Sequence, residues 1–219
     1  MRQTLQSGRP RKRTVRLDES KRSALLNAAV AEIAQYGFEA ASLQRVAAQA
    51  GITRGLVYYY WDDREELLRA AVEHLRGLLA NAIALWGTPA DPASFWENVE
   101  QVYRQAFDSL ASQPNHLEFF RRLVEAAQAP QPHEPIKELI SDARDALSRL
   151  LGTGQRLNAV RADVPTALLL DASFALAGAS DAWAVRQVAA GATPTSCIAA
   201  TMTLLRSTLE TPPRVRRSK

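Results

Sequence analysis

The chain is short of the residues that carry redox, metal and covalent chemistry. A single cysteine among 219 residues, Cys197, excludes an intrachain disulfide and suits a reducing compartment. No lysine, arginine or histidine lies near it in sequence, so it reads as a small apolar packing residue, not a nucleophile. The three histidines, His74, His116 and His133, stand in no HExxH pattern, and no CxxC, glycine-rich phosphate loop or GxSxG occurs. Neither a metal, a cofactor nor an enzymatic activity is expected. Long apolar runs are also missing. The longest, near 167–183, is interrupted by Asp171 and Asp181 and reads as too short and too polar to span a bilayer, so no membrane partner is expected. The start, MRQTLQSGRPRKR, is basic but lacks the apolar stretch of a signal peptide, which points to a cytoplasmic protein. Strand signals are nearly absent: no Asn-Gly or Asp-Gly turn appears, and no segment alternates cleanly at period two.

What is present favours helices. Ala, Leu, Arg, Glu and Gln dominate, and a 47% hydrophobic and 23% charged composition suits a chain that buries a real core. The fold class expected is all-α. The net charge of +4 is unevenly spread. Residues 1–16 carry six basic side chains and no acid, residues 211–219 carry four and no acid, and the stretch between is left at −6. Basic ends on an acidic body suit a polyanion, or serve simply as solubilising tails.

Caps and breakers divide the chain into about nine helices. Residues 1–16 form a basic arm with too little apolar content to fold alone. A first helix runs from a cap at Asp18 to Tyr36 and ends on Gly37. The second starts at Ser42 and ends near Ala50, and Gly51 makes the turn. Thr53 caps a third, Arg54 to about Tyr60. Asp62 or Asp63 caps a fourth, reaching about Trp86. Further helices are expected over about 93–112, 116–127 and 135–151, the last stopping at Gly152 and Gly154. A long helix capped by Asp163, with Pro165 in its first turn, runs to about Ala189, and Pro194 opens a last one to about Leu209. The division expected is arm 1–16, a three-helix domain 17–63, a helical domain 64–210 and a basic tail 211–219.

The segment 42–68, SLQRVAAQAGITRGLVYYYWDDREELL, carries the most information. Two short helical patterns flank a Gly-Ile-Thr break, as in a helix-turn-helix whose second helix lies in a DNA groove. Val46, Ala47, Ala50, Ile52 and Val57 are apolar on the side that would face the first helix. Gln44, Arg45, Arg54, Gly55 and Leu56 are left facing outward. Gln and Arg read base edges bidentately, Leu56 offers an apolar surface to a thymine methyl, and Gly55 lets the backbone approach. Ser42, Tyr58, Tyr60 and Arg64 suit phosphate oxygens, which set register, and Thr53 and Tyr59 complete the candidate DNA-binding set. A plain helical hairpin is the alternative, with Trp61 as a packing residue and Tyr58 either in the core or on the DNA face.

The segment Leu26–Leu68 resembles the DNA-binding region of the TetR family of bacterial transcriptional regulators. The family pattern is met by Ser42, Val46-Ala47, Ala50-Gly51-Ile52, Gly55, Val57-Tyr58, Tyr60-Trp61, Asp63-Arg64-Glu65 and Leu67. Three positions depart. Trp61 replaces the usual Phe, Arg64 the usual Lys, and Leu56 the commoner Thr or Ser, which exchanges a polar DNA contact for an apolar one. The resemblance implies a homodimer on a near-palindromic double-stranded operator, with the two heads in successive major grooves. It also implies a C-terminal domain that binds a small-molecule effector and dimerises through its last two helices, here about 164–189 and 194–209. Small and apolar residues fill that stretch, including Leu168, Ala172, Ala175, Gly178 and Leu204, and ordinary core helices would look the same.

The body is harder to read. Trp86, Trp96, Tyr103, Phe107, His116, Phe120, Phe174 and Trp183 are candidates for an apolar effector pocket, against the alternative that most are core. The arm segment Ser7-Gly-Arg-Pro-Arg-Lys-Arg13 resembles an AT-hook. Arg9 and Arg11 would then enter a narrow minor groove, and the alternative is a non-specific basic tail that neutralises phosphates. The leading expectation is a repressor released by an apolar or aromatic effector. An architectural DNA binder without an effector and an all-α small-molecule-binding protein are the other readings.

Overall fold

The computed structural model describes residues 19–212, and these form nine α-helices. They are α1 (Glu19–Tyr36), α2 (Leu43–Ala50), α3 (Arg54–Tyr60), α4 (Arg64–Ile83), α5 (Pro92–Ala111), α6 (Pro114–Ala127), α7 (Glu134–Arg156), α8 (Thr166–Ala189) and α9 (Pro194–Leu209). The arm with Arg9 and Arg11, the Asp18 cap and the basic residues from 213 onward lie outside the described residues. An isolated antiparallel bridge between Val160 and Glu210 is the single β-type pairing among them.

Several ends follow the local signals. Gly37 adopts φ +80° and its amide reaches the Ile33 carbonyl at 2.8 Å, while Gly51 turns the chain at φ +66°. Asp63 caps α4 by accepting from the Glu66 amide at 2.9 Å, and the Glu66 carboxylate accepts from the Asp62 amide. Asp91 and Ser94 form a capping box at α5. Ser42 and Thr53 occupy the N-cap positions of α2 and α3, yet neither side chain makes a cap hydrogen bond. Helix α4 ends at Ile83, short of Trp86.

Three sequence expectations are corrected. Helix α7 does not stop at the glycines but continues to Arg156. Gly154 is there for packing: a Cβ on it would sit 2.3 Å from Val160 Cγ2 and 2.8 Å from Phe95 Cζ. Asp163 does not cap α8, which starts after Pro165; its carboxylate instead takes both prongs of Arg161 at 2.8 Å. Helix α8, with 24 residues, is also long and apolar enough by composition to cross a bilayer, unlike the sequence expectation. In the fold it buries Leu169, Ser173, Ala184 and Val185 against neighbouring helices.

The core has two parts. The first gathers α1–α4 around Val30, Ile33, Val46, Val57, Leu67 and Val72, and continues into Leu110, Phe119, Leu123 and Ile136, so packing is unbroken across residue 63. The second lies among α5, α7, α8 and α9, around Phe95, Trp96, Phe107, Leu151, Val160 and Ile198. Polar ties join head and body as well. From α6, Arg122 Nε donates to the Ala34 carbonyl at 2.6 Å and Nη2 to that of Gln35 at 3.3 Å, occupying carbonyls at the end of α1. His133, before α7, lies between Glu39 (3.0 Å) and Glu65 (3.4 Å).

Candidate nucleic-acid interface

The head presents α3 on a buried footing. Val57 and Trp61 are sealed in the core, which fixes the rotation of a seven-residue helix. Thr53, Arg54, Gly55 and Tyr58 then face solvent and Leu56 is half-buried. A Cβ on Gly55 would meet nothing within 4 Å, so its exposed backbone lies open to a partner. Gln44 on α2 is exposed beside this surface, Ser42 is half-buried, and Tyr60 is half-buried and packed against the first core. Tyr58, for which a core position was an alternative, is 46% exposed.

Three head residues are held differently from the sequence expectation. Arg45 turns back onto α1: Nε lies 2.9 Å and Nη2 2.5 Å from Glu32 Oε1, with the guanidinium stacked 4.2 Å from the Tyr36 ring centroid. Glu32 is 2% exposed and also accepts the Ser42 amide at 2.8 Å. The pair is an internal clamp that seats α2 on α1, and the same contact raises the Arg45 pKa. It does not leave Arg45 free to reach bases. Arg64 donates to the Glu39 carbonyl, which holds its side chain along the α1–α2 connection. The Tyr59 hydroxyl is buried without a hydrogen-bond partner, and its ring stands edge-on to Tyr60 at 5.3 Å, so it is turned from the solvent face. Sequence periodicity missed Glu32; a carboxylate in the run AAVAEIA was the available signal.

The eight body candidates do not converge on one cavity. Trp86 packs edge-on to Phe95 at 5.8 Å. Trp96 is buried with Nε1 donating to the Ala159 carbonyl at 3.2 Å, and Phe107 is sealed in the same cluster. Trp96 is core because its ring packs onto the 159–160 turn, and Phe107 is one of the buried side chains of the second core. Phe120 belongs to the first cluster. Trp183 is 38% exposed on the outer side of α8, with Leu168, which corrects the pocket expectation for it. Phe174 lies under the Arg144 guanidinium, 5.3 Å from its centroid. His116 is buried and faces His74 at 5.7 Å between centroids; His74 Nε2 and His116 Nδ1 lack partners, and burial lowers the pKa of both. Tyr103 donates its hydroxyl to Asp181, an acid whose one signal in the sequence is that it interrupts an apolar run. Two crevices of about 250 and 300 Å³ sit elsewhere, at the head–body junction, and share Phe38, Glu39 and His133.

The model of the "Bacterial regulatory proteins, tetR family" matches residues 25–71, the span of the head just described. The HTH-type transcriptional repressor SCO4008 of Streptomyces coelicolor is 31% identical over 117 residues, covering 53% of this chain and 56% of that protein. The HTH-type transcriptional regulator BetI of Proteus mirabilis is 32% identical over 65 residues, 30% of this chain and 32% of its own length. The chain thus matches about half of the first relative and a third of the second. The fold extends the likeness beyond the head. The transcriptional regulator FadR of Bacillus subtilis, solved in complex with stearoyl-CoA, superposes with a TM-score of 0.71 at 18% identity, over 85% of this chain and 98% of that one. Residues 25–71 are thus a DNA-binding region of the tetR type, and the helices that follow share the fold of solved tetR-like regulators.

Proposed function

We propose that the protein is a cytoplasmic, effector-responsive repressor that binds a near-palindromic operator as a homodimer. The observation that carries the reading is the outward face of α3: Arg54, the open backbone at Gly55, and Leu56 beside them, on a helix locked by Val57 and Trp61. With Gln44 they form a compact base-reading set, while Thr53, Tyr58, Tyr60 and the uncommitted donors of Arg64 serve phosphates. The arm, through Arg9 and Arg11, adds phosphate neutralisation that an acidic body does not supply.

Two further observations support control by a second molecule and by a partner copy. Helices α8 and α9 leave Leu168 (58% exposed), Trp183 and Leu204 (47%) on the surface, an apolar area that a second copy would cover. A protein with the same fold holds stearoyl-CoA. In this reading an effector acts on α4 and α6, because Arg122 grips the end of α1 and α4 continues from the head into the body. It shifts DNA binding only by its preference for the state in which the two heads no longer fit one DNA face.

Selection from a random DNA library with the full chain tests this, followed by Arg54→Ala on the selected site. The expected result is a palindromic sequence and a loss of about 1–3 kcal/mol with relaxed discrimination. An equal loss on every sequence would favour a purely architectural binder, and no enrichment of any sequence would end the reading.

A further inference from the structure

Two carboxylates inside this protein meet opposite treatment. Glu32 is answered by the Arg45 guanidinium and the Ser42 amide. Asp181 on α8 has no basic partner among the described residues; the group that meets it is the neutral hydroxyl of Tyr103, from α5. On that side of α8, Arg144 is paired with Asp171 and stacked on Phe174. A charge taken out of water is normally matched by a counter-charge. Burial pushes the Asp181 carboxyl up to about 6, so near neutral pH it is still mostly ionised and unanswered.

The surroundings are partly open and have spare hydrogen-bonding capacity. Gly178, one turn before Asp181, has nothing within 4 Å of where a Cβ would stand. Leu170, Phe174, Ala177 and Asp181 on that side of α8 are only half-buried, whereas Ser173, Ser180 and Ala184 on another side are sealed. Phe174 and Asp181 reach α7 and α5 respectively, so this partly exposed face looks onto those two helices. From α9, the Thr201 hydroxyl is buried and meets no partner with hydrogen-bond geometry, though it lies close enough to Tyr103 to act on the phenol.

We propose that Asp181, Tyr103 and Thr201 form an anchoring site for the protonated amine of an organic effector with an apolar body. An alkylammonium donates up to three hydrogen bonds, to the Asp181 carboxylate and to the oxygens of Thr201 and Tyr103, and supplies the missing positive charge. The Tyr103 ring adds an aromatic surface that favours a cation. The site deepens the effector-responsive reading given above and rests on it.

The test compares 4-phenylbutylamine, 4-phenyl-1-butanol and 4-phenylbutyrate by calorimetric titration of the full chain at pH 7.5. The amine should bind at least about tenfold more tightly than the alcohol and the acid, the scale of one charge-assisted contact. Asp181→Asn should abolish that preference, and Thr201→Val should weaken the amine while leaving the alcohol unchanged. Circular dichroism verifies that both variants are folded. Equal affinity for the three probes, no binding of any of them, or an amine preference that survives Asp181→Asn would overturn the proposal. Failure of the regulator reading is separable: an Asp181-dependent amine preference in a chain that selects no operator keeps the site and removes the repressor role. Operator binding without that preference does the reverse.

Discussion

Replacing Gly154 with alanine sets two effects against each other, and the packing at the end of α7 decides the sign. In a helix interior alanine is favoured over glycine by about 0.5–1 kcal/mol. Against this, the new Cβ would lie 2.3 Å from Val160 Cγ2, 2.8 Å from Phe95 Cζ and 3.0 Å from Val160 Cβ. Carbon pairs settle at about 3.5–4 Å, so the overlaps exceed what small shifts relieve. Neither neighbour can swing into solvent, because Phe95 is 1% and Val160 2% exposed. Val160 is also tied by its backbone: its amide donates to the Gly154 carbonyl at 3.1 Å, and Arg161 beside it donates to Leu209 at 2.8 Å. Overpacking of this kind costs about 1–3 kcal/mol or more and outweighs the helix gain. Gly154→Ala should therefore lower stability by about 1–2 kcal/mol, a fall of roughly 2–8 °C in Tm for a chain of this size. Gly77→Ala is the internal control. Gly77 is exposed on α4 with nothing within 4 Å of its Cβ position, so the same substitution there should gain about 0.5–1 kcal/mol. Urea unfolding at one fixed protein concentration measures both, since self-association would shift the midpoint. Adding Val160→Ala to Gly154→Ala should recover stability. A neutral or stabilising Gly154→Ala would refute the close-approach account of α7.

Two further outcomes follow from Asp181 and Glu32. Asp181 has a native pKa of about 6 against an ordinary 3.8, so the fold disfavours its ionisation. Its destabilising effect is absent below about pH 4, grows as pH rises through 6, and reaches about 3 kcal/mol at most. Asp181→Asn should thus be more stable than the parent at pH 7.5 and lose that advantage near pH 4; a gap that does not narrow on acidification refutes the assignment. At the other acid, Arg45→Ala leaves Glu32 buried with the Ser42 amide alone, whereas Glu32→Gln keeps that bond and leaves Arg45 to water. Arg45→Ala should show the lower Tm of the two, and adding Glu32→Gln should raise it. If that double variant, once stable, still fails to discriminate between operator and random DNA, Arg45 returns to the base-reading set.

The head was legible because its signals are local. Gly37 and Gly51 take the positive φ values their positions suggest, and Val46, Val57 and Trp61 are buried as the helical spacing requires. What the spacing could not decide is which outward residue is recaptured by a distant one. Arg45 meets Glu32 thirteen positions away and Arg64 meets the Glu39 carbonyl, both across a helix connection. In the body the same difficulty governs the errors. Glycine marks a helix end when the backbone needs it and a close approach when a neighbour needs it, and only Val160 and Phe95 distinguish the two at Gly154. Grouped apolar aromatic residues suggest a pocket, but Trp96 and Phe107 fill the second core and Trp183 lies outside it.

Asp181 shows why an acid in an apolar helix carries more information than the aromatics around it. An apolar side chain in the interior is explained by burial alone, so its presence says little about a ligand. A carboxylate there opposes folding unless something repays it, and among the described residues only a phenol meets it. Stability alone would favour Asn at that position. On the regulator reading, the same uncompensated charge is what lets a cationic effector bind one arrangement of α5, α8 and α9 in preference to another. Helix α5 packs on α4 and α6, the two elements that hold the end of α1, so a change at Tyr103 has a short mechanical route to the proposed base-reading face of α3. The destabilising acid in the body and the solvent-facing Arg54 in the head are then two ends of one linkage, each unfavourable or idle until its partner arrives.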